Sequence, residues 1–319
     1  MSRLERLKIL VIGELNVDIV ATGLRSEPEM GTEILADDCE LTLGSASAIF
    51  AAGAAKLGHN VTLVSQVGRD YFGDFCINKL RQLGLSTRHV ARKADEKTGV
   101  TIALSGKRDR ALVTHAGAVA TLTSDCINEA LLKRHDHLHL TSYYLQKALQ
   151  PSFAEMFRRA KALGLTTSFD PNSDPDNKWN SIDNVLRATD VLFVNEREAA
   201  QLTGSSTPKA ALKNLMTKVP CAVIKRGPNG AIAMLHGATA AHSGFKVTAV
   251  DTTGAGDSFD AGFVSAYVRH APLTECLKIG NACGALSAMR VGGTAGQPTE
   301  RELQTFLRSN TATGPKRFK

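Results

Sequence analysis

The chain has 319 residues and a mass of 34.0 kDa, which is enough for one large α/β domain with a sizeable core. Its 43% hydrophobic and 22% charged residues are typical of a globular protein and argue against a disordered one. The net charge of +7 comes from lysines and arginines spread along the chain without a recognisable nucleic-acid-binding motif, so we expect a solvated basic surface and no nucleic-acid partner.

Short apolar runs rich in β-branched residues alternate along the chain with stretches of helical periodicity. The first strand is predicted at 8–12, a helix at 46–57, a strand at 61–64 and a helix at 72–83. Further strands are predicted at 137–140, 166–169, 191–194 and 222–225, with helices between most of them. This alternation predicts a three-layer α/β/α sandwich with a mostly parallel central sheet.

Two stretches interrupt the alternation, 18–43 and 99–118, and both contain short strand-like pieces with turn residues. We predict that they pair into a small β-sheet that projects as a lid over a substrate cleft. The remaining pattern favours a single domain over residues 1–308, followed by a disordered tail at 309–319.

A glycine turn at Asp251-Thr-Thr-Gly-Ala-Gly-Asp257 follows a predicted strand end at 248–250 and opens a helix. Glycine at 254 and 256 allows the backbone to approach a ligand closely. The N–H groups of residues 254–257 then lie at a helix N-terminus, where anions bind. Asp257 fits two interpretations, a charge that favours the helix dipole or a proton acceptor beside the anion.

The turn resembles the C-terminal signature D-T-x-G-A-G-D of the ribokinase-like (PfkB) carbohydrate kinase family and matches each of its fixed positions. The resemblance extends over about 8–305 and implies a kinase that transfers the γ-phosphate of Mg-ATP to a hydroxyl of a small sugar. It assigns the catalytic base to Asp257 and the anion hole to Gly254, Ala255 and Gly256.

The N-terminal segment Gly13-Glu-Leu-Asn-Val-Asp18 is similar to the family's substrate segment, which implies sugar contacts for Asn16 and Asp18. The stretch 44–73 resembles another family signature and adds Gly44 and Ser45 to the substrate site. The family carries an Asn on the following helix, whereas this chain has Ile49. Turn hydrogen bonding and helix capping are the alternative roles of these polar residues.

The resemblance also implies residues that bind the nucleotide and cations. For ATP these are Asn195, Lys225, Gly227, Gly230 and Asn281; for Mg²⁺ the residue is Glu198, and for a monovalent cation such as K⁺ it is Asp251. From the residues alone, Asn195 and Glu198 also fit a helix-capping pair, and Lys225 also fits a surface charge. Asp170-Pro-Asn172 resembles a strand-end segment of sugar kinases, although a turn is the more common explanation. The resemblance also allows a homodimer formed through the lid.

Several other protein classes are disfavoured by the sequence. The first strand is not followed by G-x-G-x-x-G, and no Walker A motif occurs, so neither a Rossmann dehydrogenase nor a P-loop enzyme is indicated. His135, His137 and His139 alternate along a strand and are interpreted as surface or core histidines in preference to a metal site. A nucleoside kinase and a catalytically idle sugar-binding protein of the same fold remain alternatives.

Targeting and redox signals agree with a cytoplasmic enzyme. The charged N-terminus lacks the apolar core of a signal peptide, and the longest uncharged stretch, 227–245, is broken by Gly, Pro and His, so it is interpreted as two strands and a turn. The six cysteines contain no C-x-x-C pair, which argues against a zinc site or a disulfide framework. We therefore predict a cytoplasmic protein with no membrane partner.

Overall fold

The computed structural model of the protein describes residues 6–106 and 110–310. Thirteen strands are described: β1 (Lys8–Ile12), β2 (Asn16–Thr22), β3 (Asp38–Leu43), β4 (Asn60–Gly68), β5 (Val90–Lys93), β6 (Gly99–Ser105), β7 (Arg110–His115), β8 (His137–Thr141), β9 (Thr166–Asp170), β10 (Val191–Asn195), β11 (Cys221–Lys225), β12 (Ala231–Leu235) and β13 (Ala238–His242).

Ten α-helices are described: α1 (Ala46–Lys56), α2 (Tyr71–Gln82), α3 (Glu129–Leu132), α4 (Phe153–Ala162), α5 (Asp183–Ala188), α6 (Glu196–Thr203), α7 (Pro208–Leu215), α8 (Ala255–Tyr267), α9 (Leu273–Ser287) and α10 (Glu300–Ser309). Short 3₁₀ turns join several of them. None of these helices combines the length and the apolar character that crossing a membrane requires.

Nine strands form the central sheet in the order β13-β12-β11-β10-β9-β8-β1-β4-β5, and all neighbours from β11 to β5 are parallel. Only the β11–β12–β13 edge is antiparallel, as two successive hairpins. The predicted mostly parallel sheet is confirmed. The uncharged stretch 227–245 contains the β12–β13 hairpin, as the sequence indicated.

Both faces of the sheet are covered by helices, because alternate residues of each strand enter different cores. In β1, Leu10 and Ile12 belong to the core that contains residues of α4–α7, whereas Ile9 and Val11 belong to the core that contains residues of α1, α2 and α8. Strands buried on both faces must be apolar at nearly every position, which explains the continuous apolar runs in the sequence. The predicted three-layer arrangement is confirmed.

A separate four-stranded sheet, in the order β3-β2-β6-β7, is formed by the two segments predicted to make a lid. The β2–β6 pair is parallel and the other two pairs are antiparallel. The stretches 18–43 and 99–118 therefore pair as expected, with 107–109 outside the described residues. We call this sheet the lid sheet.

Two boundaries differ from the sequence prediction. The predicted strand end at 248–250 is wrong: this segment has no regular structure, because the N–H groups of Val250 and Asp251 donate to the Ala288 carbonyl at the end of α9. Helix α10 continues through Ser309, within the predicted disordered tail, and 311–319 lie outside the described residues.

Candidate active site

The predicted substrate residues lie together where the lid sheet joins the central sheet. The Asn16 amide donates to Asp18 Oδ1 at 3.0 Å and lies 3.5 Å from the Thr101 hydroxyl on the neighbouring lid strand. A Cβ atom at Gly44 would lie 2.1 Å from Asp18 Oδ1 and 2.6 Å from the Asn16 amide nitrogen. Position 44 therefore has to be glycine for these two side chains to occupy their present positions.

Ser45 begins α1 with a φ of 81°, a conformation that a non-glycine residue rarely adopts. Its hydroxyl accepts a hydrogen bond from the Ala48 N–H at 3.1 Å and donates to the Glu14 carbonyl. The capping role considered from the sequence is confirmed. These two hydrogen bonds offset the backbone strain at this position.

Glu14 is a buried acidic residue at the carboxyl end of β1 that the sequence interpretation did not select. It is 3% exposed, and its carboxylate accepts hydrogen bonds from the Ser47 N–H (3.2 Å) and the Ser47 (2.7 Å), Thr141 (2.9 Å) and Ser142 (2.8 Å) hydroxyls. These four donors satisfy the hydrogen-bonding capacity of both buried carboxylate oxygens. Glu14 therefore connects α1 to the end of β8, directly beside the substrate residues.

The glycine turn opens α8 as predicted. Gly254 has a φ of 69°, and a Cβ atom there would lie 2.7 Å from Gly293 Cα and 3.0 Å from Ile49 Cγ2. The apolar Ile49 side chain, 3% exposed, thus packs against the turn. The Ala255 N–H donates to the Thr252 carbonyl at 3.2 Å, so this predicted anion-hole donor is already engaged within the turn.

Asp257 lies in the first turn of α8 and is partly exposed. Burial raises its pKa, Lys225 opposes this rise, and the charges of Asp170 and Glu14 add to it, so that the pKa is about 7. A carboxyl group with a pKa near the pH of the cell can accept a proton and release it again. The phenylalanines behind it, Phe259 and Phe263, form the predicted apolar face of α8 and pack against Phe193 of β10.

A charged cluster lies beneath Asp257. Lys225, at the end of β11, places its Nζ atom 2.6 Å from Asp170 Oδ2 and 3.1 Å from Asp260 Oδ2. The lysine side chain is 14% exposed, and the two carboxylates are 1% exposed. Lys225 is therefore not a solvated surface charge, and that alternative is wrong. Asp170 forms a buried ion pair with Lys225, a contact that goes beyond a local turn.

Asn195 and Glu198 form a capping box at the start of α6. The Glu198 N–H donates to Asn195 Oδ1 at 2.9 Å, and the Asn195 N–H donates to Glu198 Oε2 at 2.8 Å. The capping interpretation is confirmed. Burial and the Asp170 charge raise the pKa of Glu198 to about 7, so a nearby cation would be needed to favour its ionised form. Oxygen ligands of this kind suit Mg²⁺.

The remaining predicted nucleotide residues lie on the β11–β12–β13 edge of the sheet and on α9. Gly227 has open space at its Cβ position, whereas a Cβ at Gly230 would lie 2.0 Å from the His242 carbonyl oxygen. The Asn281 amide lies 3.2 Å from His242 Nδ1. These residues surround one end of the sheet and leave Gly227 accessible.

Asp251 organises the loop before the glycine turn. Its Oδ1 accepts from the Thr253 N–H and its Oδ2 from the Gly292 N–H, both at 2.9 Å. The carboxylate therefore links the turn to the 292–293 loop that contacts Gly254.

The alternating histidines belong to the core and its edge. His137 and His139 are 0% exposed and share hydrogen bonds with the Ser168 hydroxyl, and His139 stacks on Phe50. His135 bonds the Leu131 carbonyl and the Thr62 hydroxyl. The interpretation as structural histidines is confirmed.

Two residues central to this region, Glu14 and Asp260, were missed from sequence. Asp260 follows Asp257 by three residues, the helical spacing that places two side chains on the same side of a helix, which was an available signal. Glu14 precedes an apolar residue at a strand end, and nothing local distinguishes it from a surface acid.

Comparisons with known proteins agree with this geometry. The family model for pfkB family carbohydrate kinases matches residues 6–300. The chain is 31% identical to an ATP-dependent ribose-1-phosphate kinase of Halopiger xanaduensis, with 94% of this chain and 98% of that protein covered. It is 28% identical to a ribokinase of Haemophilus influenzae, over 95% and 99% of the two chains.

Solved structures are similar along the same length. A Thermotoga maritima ribokinase superposes with a TM-score of 0.81 at 26% sequence identity, covering 95% of this chain and 99% of that one. An E. coli protein provisionally named ribokinase II, solved with ATP and Mg²⁺, superposes with a TM-score of 0.82 at 27% identity, covering 95% and 100%.

Proposed function

This chain belongs to the pfkB family of carbohydrate kinases, and on that premise we propose that Asp257 is the general base of its phosphoryl transfer. The protein is a kinase that uses ATP and acts on a hydroxyl of a sugar or nucleoside. We further propose that the acceptor is a small sugar, since the relatives include ribokinases, fructokinases and a ribose-1-phosphate kinase.

One observation carries the proposal: Asp257 lies at the N-terminus of α8 beside the two turn glycines, with its pKa raised to about 7 by burial. A base of this strength removes a hydroxyl proton as the oxygen becomes nucleophilic. The N–H groups at the start of α8, with Gly254, Ala255 and Gly256 in the turn, stabilise the charge that develops on the transferred phosphoryl group. Ala255 contributes through its place in the turn, because its own N–H is engaged.

The acceptor binds between the lid sheet and the end of β1. Asn16 and Asp18 donate and accept hydrogen bonds to sugar hydroxyls, and Gly44 and Ser45 border the same space. The lid-sheet face that carries Asn16 and Asp18 also carries the Thr101 and Thr114 hydroxyls, whose oxygens are 3.1 Å apart. This polar face supports closure of the lid over a hydroxyl-rich substrate and exclusion of water.

The nucleotide binds along the other side of the cleft. Asn195 and Glu198 hold Mg²⁺ and its water ligands, Gly227 and Gly230 border the phosphates, and Asn281 borders the adenine. Mg²⁺, when bound, neutralises phosphate charge. Lys225 was predicted to contact a phosphate, and that role stays a prediction. Asp251 is proposed to organise a monovalent-cation site through the loop that it already holds.

The outer face of the lid sheet supports a homodimer. Ile19, Ile102 and Val113 are cross-strand neighbours in register, and Ile102 and Val113 are 39% and 59% exposed. An apolar row of this kind is unfavourable in water unless a second surface covers it. A second copy of the chain, joined lid to lid, would cover it.

The test measures ADP release with Mg-ATP and a panel of pentoses, hexoses, sugar phosphates, keto-deoxy acids and nucleosides. We expect turnover with a sugar or sugar phosphate, and Asp257→Asn to lower it by roughly 10²–10⁴-fold while Mg-ATP still binds. Near-normal turnover by Asp257→Asn would refute the assignment of the base. Turnover only with nucleosides would select a nucleoside kinase, and binding of sugars without turnover would select the catalytically idle alternative.

A further inference from the structure

Lys225 is held in the interior by charge rather than directed toward solvent. The two carboxylates that accept hydrogen bonds from its ammonium come from other elements: Asp170 from β9 at 2.6 Å, and Asp260 from α8 at 3.1 Å and 3.2 Å for its two oxygens. A buried ion pair of this geometry is rigid, because separating any member would leave an uncompensated charge in the interior.

The same cluster contains the proposed base. Carboxylate oxygens of Asp170, Asp257 and Asp260 all lie within 4.8 Å of one another. A Cβ atom at Gly256, the residue before Asp257, would lie 3.2 Å from Lys225 Nζ. Three carboxylates this close cannot all stay ionised without a cation among them, and Lys225 supplies one.

Charged groups from four parts of the fold act on Asp257: Lys225 at the end of β11, Asp170 at the end of β9, Glu14 after β1, and Asp260 within α8. A further acid, Glu198 of α6, interacts with Asp170 and Lys225. Lys225 is the one cation in this set of described residues. Its removal would therefore change the balance of charge around Asp257 more than the loss of any single carboxylate.

We propose that Lys225 is a positioning residue for phosphoryl transfer, and that its ammonium, anchored by Asp170 and Asp260, keeps the Asp257 carboxylate ionised and in place. This inference rests on the proposed role of Asp257 as the base. This role differs from a phosphate contact, because the Lys225 ammonium is already paired with two carboxylates of the protein, those of Asp170 and Asp260. It also explains why a lysine lies at the end of a strand whose other residues are apolar.

The two roles of Lys225 predict different kinetics. A phosphate contact acts on nucleotide affinity, so its loss would raise the KM for ATP. A positioning residue acts on the base, so its loss shifts the acid limb of the log kcat profile toward higher pH while the affinity for Mg-ATP stays the same.

The experiment measures kcat from pH 5.5 to 9.5 and the Kd for Mg-ATP for Lys225→Met, Lys225→Arg and Asp260→Asn. We expect Lys225→Met to move the acid limb up by about one pH unit or more, which lowers turnover at pH 7 by about tenfold and restores part of it at pH 9. Lys225→Arg keeps the cation and should stay closer to the native profile.

Burial raises the pKa of Asp260 well above its ordinary value although Lys225 opposes the rise, so Asp260→Asn removes little charge from the cluster while Asp170 still anchors the lysine. Its acid limb should therefore stay close to the native one, whereas general loosening of the fold would change Lys225→Met and Asp260→Asn alike. Lys218→Met is the matched control: this lysine pairs with Asp183 at 2.8 Å on the surface, and its loss should leave both measurements unchanged.

An unshifted acid limb in Lys225→Met would overturn the proposal. If the limb is unshifted and the Kd for Mg-ATP is raised, the result would support a phosphate contact as the role of Lys225. If Lys225→Met fails to fold by circular dichroism, Lys225→Gln, which removes the positive charge but can still donate hydrogen bonds to the two carboxyl groups, carries the same test. Full activity of Asp257→Asn would instead refute the base itself, so the two failures are distinguishable.

Discussion

Replacing Gly254 by alanine tests whether the geometry of the glycine turn at the start of α8 decides activity. Gly254 has a φ of 69°, and an added Cβ would lie 2.7 Å from Gly293 Cα and 3.0 Å from the Gly293 carbonyl oxygen. These are backbone atoms, so they cannot turn aside as a flexible side chain can. The loop or the turn itself must move.

The magnitude follows from two contributions. Alanine in the left-handed region costs about 1–2 kcal/mol, of which roughly 0.4–1 kcal/mol is offset by the loss of freedom in the unfolded chain. The contacts with Gly293 add an overpacking cost of about 1–3 kcal/mol. We therefore expect Gly254→Ala to lower the free energy of unfolding by roughly 2–4 kcal/mol, and to lower turnover by about 100-fold because the turn shifts against the substrate.

Gly164→Ala provides the control for backbone strain alone. Gly164 has a φ of 87°, lies at the amino end of β9 far along the sheet from the turn, and has no atom within 4 Å of its Cβ position. Urea unfolding should give a loss of about 1 kcal/mol with normal turnover. Equal losses of stability in the two variants, with turnover retained in Gly254→Ala, would refute the argument from close approach.

Four other predictions concern buried charge and the lid. Glu14→Gln replaces an acceptor of four hydrogen bonds by a group that also donates, so it should cost about 1–3 kcal/mol in urea unfolding, and an unchanged midpoint would contradict this. Asp257 is harder to ionise in the folded state, where its pKa is about 7 against an ordinary 3.8, so the native chain loses stability as the pH rises. Asp257→Asn does not ionise, and its stability relative to the native chain should therefore increase between pH 4 and 8. The difference between the two thermal midpoints measures this. Burial lowers the pKa of His137 to about 3, so the native chain should lose stability as the pH falls below 6.5, and His137→Gln should show a shallower loss. Val113→Asp should convert a lid-to-lid dimer to monomers in light scattering, and an unchanged mass would argue against that interface.

The sequence by itself determined the arrangement of layers and the position of the glycine turn at the start of α8. Continuous apolar runs separated by amphipathic helices predict a parallel sheet covered on both faces, because only strands buried on both sides need apolar residues at every position. The turn could be located because its structure depends on residues that are neighbours in the chain, whereas the chemical role of Asp257 stays a prediction.

Some roles could not be predicted because they depend on residues that are distant in sequence. Lys225 was open to interpretation as a surface charge or a phosphate contact until the sheet brought it to Asp170, 55 residues earlier, and to Asp260, 35 residues later. Glu14 likewise meets Thr141 and Ser142 only because β1 and β8 are neighbours in the sheet.

The predicted strand at 248–250 failed for the same reason. Its apolar, β-branched residues favour a strand locally, yet its backbone bonds to the end of α9 instead of a neighbouring strand. Local patterns therefore identified the elements and the glycine turn, whereas the tertiary structure decided which buried charges face one another, because electrostatic energy in the interior depends on distance in space and not along the chain.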